Sequence, residues 1–397
     1  MGSYSELYIA DYPIVTSKNS YYEDIVKMIF QKSDFKILER PLSNRNMITW
    51  GDAYTNNNEL ENVKAFFSTA QICRERLELF GANYKKAETD FNNAIAKLRQ
   101  EEYYEFAEDS NLTFKVYLES IKSIIESKQK KYNNDYYTNF IDYLHENELF
   151  IAHQSINLAL WSIFYVFEPE SIVEYNLTDI IEGGWITDSP QDNIQIEKII
   201  VLTEGKTDSE YLKNCLDIFY PHLSIYYHFM DFESSKYEAS ASRLVHTIKS
   251  FVGSGINNLI LALFDNDTAG LKEVNHLKKV KLPPNIQVLQ YPNIEWLKNY
   301  PTLGPNGIQN MDVNGLAGSI EMYLGIDCLT EDNNQLIPIH WKGYDESVKK
   351  YQGVILKKNV VQEAFLKKVK SFDSNNFNES DWKDLKSIIE LMHNAWQ

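Results

Sequence analysis

The chain has 397 residues, of which 44% are hydrophobic and 24% are charged, and its formal net charge is −17. This composition is that of a folded globular protein with room for two or three domains, and it excludes a disordered chain. The negative charge argues against a general basic surface for nucleic acid, although bound cations and a local basic strip can reverse the field at one site.

The cysteine pattern and the absence of long apolar runs bear on the compartment. Cys73, Cys215 and Cys328 are scattered and form no Cys-x-x-Cys pair. That pattern predicts a reducing compartment, with no disulfide framework and no thiolate zinc site. The N-terminus lacks a signal-peptide pattern, and no run of about 18 apolar residues occurs. We therefore expect a cytoplasmic protein that makes no use of a membrane.

The first half of the chain has a mainly helical pattern. Residues 1–50 are mixed, whereas residues 58–180 repeat apolar residues at intervals of three and four and predict helices throughout. The pattern changes near Gly183 and Gly184, and a polar linker follows. The sequence therefore predicts a first domain over residues 1–185 that is mixed at its start and then largely α-helical.

Apolar runs alternate with helical segments after the linker. Strands are predicted at residues 196–203, 224–231, 258–264 and 286–290, and helices at 208–219, 238–251 and 269–278. This alternation predicts an α/β domain over residues 194–292, with a parallel sheet of about four strands and helices on both faces. Residues 291–318 predict a long loop, and helices are expected at 346–369 and 381–395. These make up a third region, residues 293–397.

The first chemical motif follows the first predicted strand of the α/β domain. Glu204 stands at the strand's C-terminal end, where ligands gather in open α/β sheets, and Gly205 allows a sharp turn. Asp208 falls in the first turn of the next helix, where the helix dipole favours a carboxylate. Gly205-Lys206-Thr207 is not the end of a phosphate-binding loop, because Ile200 stands where that loop needs a glycine.

The second motif is Asp265-Asn266-Asp267, which ends an entirely apolar predicted strand. Two like charges this close are costly unless a cation neutralises them, and carboxylate oxygens suit Mg²⁺, Mn²⁺ or Ca²⁺. An EF-hand loop begins in the same way, but its twelfth position here is His276 instead of a glutamate, and the motif follows a strand instead of a helix. The EF-hand interpretation therefore fails.

A two-metal site needs a further acidic group, for which Glu321 is our candidate and a solvent-facing glutamate is the alternative. We predict that Mg²⁺ or Mn²⁺ is held by Glu204, Asp208, Asp265, Asp267 and Glu321. Glu204 serves as a ligand or as a general base. Weaker acidic candidates are Asp231, Glu233 and Glu295. Lysines that can assist a leaving group are Lys206 and, at greater sequence distance, Lys342, Lys357 and Lys358.

The two motifs together resemble the Toprim domain, which has a glutamate after its first strand and Asp-x-Asp after a later one. Residues 204–208, Glu-Gly-x-Thr-Asp, look like the Glu-Gly-x-Thr-Glu of the overcoming-lysogenization-defect (OLD) type nucleases. The opening Met-Gly-Ser-Tyr-x-Glu-Leu-Tyr-Ile and residues 175–179 extend the similarity to the bacterial HEPN/Toprim proteins. In these proteins a helical HEPN-like region precedes a Toprim domain.

This resemblance implies a Mg²⁺-dependent endonuclease that hydrolyses phosphodiester bonds, with Glu204, Lys206, Asp265 and Asp267 as catalytic residues. It also implies a role as an effector in bacterial antiphage defence. The substrate is left open between DNA and RNA, including tRNA.

One departure from the family concerns the helical half. The arginines at positions 74, 76 and 99 lack the following histidine that catalytic HEPN ribonucleases carry. We therefore expect this half to be a structural or oligomerising module, in a homodimer. The alternative function is a catalytically silent regulatory or toxin component that acts through a partner such as an ATPase.

Overall fold

The fold is described from a computed structural model that covers residues 2–101, 104–128, 139–152, 154–230, 241–331 and 333–397. The chain forms two compact units, residues 1–196 and residues 197–396. Residues 293–396 belong to the second unit, together with the parallel sheet. Within the described ranges, no helix combines the length and the apolar character needed to cross a membrane.

The first unit is built on an antiparallel sheet. Its strands are Tyr4–Ile9 (β1), Tyr12–Lys18 (β2), Phe35–Pro41 (β3), Leu60–Thr69 (β4) and Ile172–Asn176 (β5). They lie in the order β2-β1-β5-β4-β3. Side chains alternate between the two faces of a strand, so Leu7, Phe66 and Tyr175, which are opposite one another, share a face. That face is buried in the core of the unit together with the helices.

The helices of the first unit contribute the rest of this core. Among the described residues they are Glu23–Ile29 (α1), Met47–Trp50 (α2), Ala70–Leu79 (α3), Tyr84–Leu98 (α4), Phe114–Ser127 (α5), Phe140–Glu146 (α6), Ile156–Tyr165 (α7) and Thr178–Glu182 (α8). Asn83 and Thr113 cap α4 and α5 through their side chains, as these residue types commonly do.

The prediction of helices throughout residues 58–180 is wrong at both ends, where β4 and β5 lie. In β4 the apolar residues Leu60, Val63 and Phe66 stand three apart, a spacing that favours a helix when it is judged locally. Residues 60–69 nevertheless form a strand, because they pair with nearly the whole of β3 and β5. The predicted helices α3 to α7 lie between β4 and β5, so the first unit combines helices with an antiparallel sheet.

The second unit contains the parallel sheet. Its strands are Ile199–Leu202 (β6), Tyr227–Phe229 (β7), Ile260–Phe264 (β8) and, after the two-residue strand Asn266–Asp267 (β9), Ile286–Gln290 (β10). The order is β10-β8-β6-β7 and every pairing is parallel. The predicted sheet of four parallel strands is therefore confirmed. The accompanying helices are Lys206–Phe219 (α9), Pro221–Ser224 (α10), Ala241–Ser254 (α11) and Thr268–Leu277 (α12).

The remainder of the second unit differs from the sequence prediction. Residues 291–318 are not one loop, because they contain Tyr300–Gly304 (β11), Gly307–Met311 (β12) and Ala317–Gly318 (β13). Ile339–Asp345 (β14) and Lys350–Ile355 (β15) follow, and then Lys358–Lys370 (α13) and Lys383–His393 (α14). The prediction of a helix from residue 346 is wrong up to residue 357, because β15 pairs with β14 in the sheet β12-β11-β14-β15.

Candidate metal centre at the sheet edge

Two neighbouring strands bring Glu204 and Asp265 together. β6 and β8 are parallel partners, with Leu202 opposite Ala262, so the residues that follow them lie at the same edge of the sheet. Oε1 of Glu204 accepts a hydrogen bond from the backbone N–H of Asp265 at 3.0 Å. The two sequence motifs are therefore in direct contact.

Asp265 has a buried carboxylate oxygen that the chain does not satisfy. Within the described residues its Oδ1 has no hydrogen-bond partner. Burial raises the pKa of Asp265 well above its ordinary value, and the charges of Asp208, Glu204, Asp267 and Glu321 raise it further. A buried acceptor without a donor, among other carboxylates, is a position that a bound cation would satisfy.

Glu204 and Asp208 have unusually high pKa values for carboxylic acids. Burial, followed by repulsion from Asp267, raises the pKa of Glu204 to about 8. Burial and then repulsion from Glu321 raise the pKa of Asp208 to about 6. Asp208 lies in α9 and accepts a hydrogen bond from the hydroxyl of Tyr291 at 2.9 Å. Tyr291 comes directly after β10, so a third strand end contributes to the cluster.

Asp267 is engaged by donors from the chain itself. Its Oδ1 accepts the backbone N–H of Gly270 at 2.7 Å and so caps α12, while its Oδ2 accepts the side-chain amide of Gln352 at 2.7 Å. Burial raises the pKa of Asp267, and these hydrogen bonds oppose that rise. The capping role that Asp-x-Asp often has at a strand end is thus present here.

Glu321 is completely buried, so the alternative of a solvent-facing glutamate is wrong. It accepts hydrogen bonds from Ser319 at 2.8 Å and from Gln362 at 2.9 Å, and it forms an ion pair with Lys358 at 3.0 Å. Its negative charge raises the pKa values of Asp208 and Asp265. Glu321 therefore lies within electrostatic range of the cluster, although its own oxygens are occupied.

Lys358 is a lysine that the structure brings to the carboxylates. Burial disfavours its charged form, but attraction to Glu321, Asp208 and Asp265 outweighs that effect and raises its pKa. Lys206, which sequence spacing favours, is exposed at the start of α9. The sequence named Lys358 only beside Lys342 and Lys357 as a distant candidate, because the contact with Glu321 spans 37 positions and no local pattern distinguishes the three.

The other predicted residues take up different places. Lys342 is exposed on β14, and Lys357 forms an ion pair with Glu331. Glu295 is 86% exposed and pairs with Lys298 at 2.7 Å. Asp231 and Glu233 lie outside the described residues.

The cluster fits a hard divalent cation in donor type. Its candidate ligands are carboxylate oxygens, and the unsatisfied Oδ1 of Asp265 supplies the specific observation. Within the described part of the chain, however, no three His, Cys, Asp or Glu side chains are grouped as ligands around one point. Asp267 and Glu321 are both hydrogen-bonded to donors of the chain instead.

The first unit contains a separate cavity of about 780 Å³ that the sequence did not reveal. Arg45 on its wall donates to both carboxylate oxygens of Glu61, at 2.6 to 3.1 Å, and to Asp179 at 3.1 Å. Its guanidinium lies over the rings of Trp50 and Tyr54, 4.7 and 4.8 Å from their centroids. These groups come from four separate stretches of the first unit, so no sequence motif marks the cavity.

A family model described as HEPN/Toprim N-terminal domain 1 matches residues 1–199 of the 397 in the chain. No curated protein and no solved structure matches the chain. The family match covers the first unit and ends at the first residue of β6. Glu204, Asp208 and Asp265 all follow it in the sequence.

Proposed function

This chain belongs to the HEPN/Toprim N-terminal domain 1 family, and from that membership and the carboxylate cluster at the sheet edge we propose that it is a Mg²⁺-dependent nuclease. The family description names Toprim, and the parallel sheet with Glu204 after β6 and Asp265 after β8 has the order that the Toprim resemblance implies. The observation that carries the proposal is the buried, unsatisfied Oδ1 of Asp265 among acidic neighbours.

In this proposal Glu204, Asp208 and Asp265 hold the ion, and Asp267 and Glu321 join them when their present donors are displaced. A bound Mg²⁺ supplies a water of lowered pKa and neutralises charge on the phosphodiester. Mn²⁺ suits the same oxygen ligands. The resting chain keeps these carboxylates in place with hydrogen bonds to Asp265 N–H, Tyr291 and Gln352.

Two residues have properties suited to moving or balancing protons. Glu204 serves as an ion ligand or as a general base, and in the metal-free chain its carboxylate is held by the N–H of Asp265. Lys358 stays charged beside Glu321 and reduces the negative charge that an incoming phosphate would meet. The exposed Lys206 is the alternative source of a proton for the leaving group.

The test is cleavage of matched single-stranded DNA, duplex DNA, total RNA and tRNA in Mg²⁺, Mn²⁺ or EDTA. We expect cleavage only with a metal, and we expect Asp265→Asn and Glu204→Gln to lower its rate on the order of 100-fold, since supporting residues of metal sites already cost 10- to 100-fold. Asp373→Asn is the matched control, because Asp373 is an exposed aspartate of the same unit. No cleavage of any substrate, or equal cleavage by Asp265→Asn, overturns the proposal.

One observation favours a second function, that of a catalytically silent component acting through a partner such as an ATPase. The oxygens of Asp267 and Glu321 are already bonded to donors of the chain, as they would be in a site that serves only to stabilise the fold. Mn²⁺ titration by calorimetry separates the two functions. Binding that Asp265→Asn abolishes supports the nuclease, and the absence of binding supports the silent component.

Three further proposals concern the biological setting. A role in antiphage defence follows from the resemblance, a homodimer from the helical half of the chain, and a cytoplasmic location from the scattered cysteines. Sedimentation of the full chain tests the dimer.

A further inference from the structure

Strands β14 and β15 form a hairpin with aromatic rings on its surface, which we name the aromatic hairpin (residues 339–355). Tyr344 and Tyr351 face each other across the strands, with ring centroids 5.1 Å apart, and Trp341 lies 6.3 Å from Tyr351. Tyr344 and Tyr351 are 51% and 56% exposed. Large rings grouped at the surface, instead of in a core, are characteristic of binding surfaces.

The aromatic hairpin and the turn after it are rich in lysine. In residues 339–358 five lysines stand against two acids, in a chain whose net charge is −17. The lysines are Lys342, Lys349, Lys350, Lys357 and Lys358, and the acids are Asp345 and Glu346. One of these acids, Asp345, already pairs with Lys272 of α12 at 3.0 Å. Lys357 and Lys358 pair with Glu331 and Glu321, so the positive strip consists of Lys342, Lys349 and Lys350. A polyanion repelled by most of the chain would meet this local positive strip.

Hydrogen bonds attach the aromatic hairpin to the carboxylate cluster. The hydroxyl of Thr268 donates to the backbone carbonyl of Tyr351 at 2.7 Å, and the N–H of Ala269 donates to the side chain of Gln352 at 3.0 Å. The amide of the same Gln352 donates to Asp267. The backbone of Tyr351 is therefore bonded to Thr268, which is the residue that directly follows the Asp265-Asn266-Asp267 motif.

Lys350 brings positive charge to the same place. A Cβ atom on Gly315 would lie 3.3 Å from Nζ of Lys350 and 3.9 Å from Oδ1 of Asn266. The ammonium group of Lys350 and the side chain of Asn266 therefore both lie beside Gly315. Asn266 is the residue that separates the two aspartates of the motif in the sequence.

We propose that the aromatic hairpin binds single-stranded nucleic acid and delivers it to the carboxylate cluster, an inference that rests on the proposed nuclease function. Exposed rings stack on unpaired bases, whereas the bases of a duplex are already stacked on one another. The lysines neutralise the phosphates of the same strand. Charge complementarity selects this occupant, because the strip is positive while the chain as a whole is strongly negative.

Binding of a fluorescent 20-nucleotide single strand, as DNA and as RNA, tests the proposal by anisotropy in EDTA. We expect Tyr344→Ala/Tyr351→Ala to weaken binding roughly 10-fold or more, which is the loss of one or two stacked bases. Tyr344→Phe/Tyr351→Phe keeps both rings and is expected to bind like the wild type. Lys349→Glu is expected to weaken binding and to reduce its salt dependence, whereas Lys213→Glu, at an exposed position on α9, leaves both unchanged.

The outcomes separate this inference from the nuclease proposal, because binding in EDTA needs no catalysis. If binding depends on the rings but no cleavage occurs, the binding role of the aromatic hairpin is supported and the nuclease proposal is overturned. If the protein cleaves and the alanine and phenylalanine double variants bind equally well, only the binding role of the aromatic hairpin is overturned. Tighter binding of the matching duplex than of the single strand also overturns this binding role. The absence of all nucleic-acid binding overturns it too, and would favour a protein as the occupant of this surface. Equal thermal midpoints for the two double variants exclude loss of folding as the cause.

Discussion

Oε1 of Glu204 accepts the backbone N–H of Asp265 at 3.0 Å, and this bond joins the ends of two parallel strands at one point. The bond favours the charged form of Glu204, yet burial and repulsion from Asp267 outweigh it and leave the pKa at about 8. Loss of protons from the cluster is therefore costly to the folded state, and a divalent cation would offset that cost.

The first prediction concerns pH and Mg²⁺. The folded pKa of Glu204, about 8, lies above its ordinary 4.5, and that of Asp208, about 6, lies above 3.8. The folded chain thus keeps protons that the unfolded chain releases, so the free energy of unfolding falls as pH rises through these intervals. We expect a lower urea midpoint at pH 8 than at pH 5 in EDTA.

Mg²⁺ should restore more stability at pH 8 than at pH 5, because it binds the deprotonated carboxylates. Asp265→Asn, which removes a buried carboxyl group whose own pKa is raised, is the control and should flatten the pH dependence. A midpoint in EDTA that rises from pH 5 to pH 8, or an equal Mg²⁺ effect at both pH values, contradicts this account.

The second prediction concerns Gly270, which is buried in the first turn of α12. A methyl group there would overlap the carbonyl oxygen of Asp265 and come within 3.2 Å of Oε1 of Glu204. We expect Gly270→Ala to lower the free energy of unfolding by about 2 kcal/mol, within the range for overpacked sites, and to reduce metal binding. Thermal unfolding and Mn²⁺ calorimetry measure the two effects.

Gly253 offers the matched control for this substitution, since it is also a helical glycine. A Cβ atom there would have no neighbour within 4 Å among the described residues outside its own helix backbone. Gly253→Ala is expected to stabilise by up to about 1 kcal/mol, because alanine loses less conformational entropy in a helix. Equal effects of the two substitutions would show that the space around Gly270 is not restrictive.

The third prediction concerns Lys358. Lys358→Met would leave the fully buried Glu321 without its ion-pair partner, and we expect cleavage to fall roughly 10-fold, together with lower stability. Lys358→Arg keeps the positive charge and should retain most of both properties. Initial rates at saturating Mg²⁺, measured beside thermal midpoints, distinguish lost activity from lost folding. Full activity of a well-folded Lys358→Met protein would show that Lys358 has no part in cleavage.

The fourth prediction concerns Arg45 in the first unit. Its guanidinium bridges Glu61 and Asp179, and the three side chains are only 14% to 19% exposed. We expect Arg45→Ala to destabilise this unit by about 3 kcal/mol, because two largely buried carboxylates lose their cation. Arg45→Lys, which keeps the charge but not the two-pronged geometry, should lose less. An unchanged urea midpoint for Arg45→Ala would contradict this expectation.

The sequence by itself determined the parallel sheet and the first elements of the site. The apolar runs of β6 and β8 predict buried strands, and Glu204 and Asp265 follow them directly, so local pattern is sufficient to place both at one sheet edge. The same local rules gave the wrong structure for β4 and β15, because the pairing of a strand depends on distant partners that no local window contains.

Tertiary structure alone decided which polar groups act on the cluster. Tyr291, Gln352 and Lys358 reach the carboxylates or their partners across separations of 37 to 85 positions. Packing also decided the state of the predicted ligands. It supplied donors to Asp267 and Glu321, whereas Oδ1 of Asp265 has no donor among the residues that the structure describes. Sequence patterns report burial and strand ends, whereas the charge balance of a buried site depends on which side chains the whole fold brings within a few ångströms.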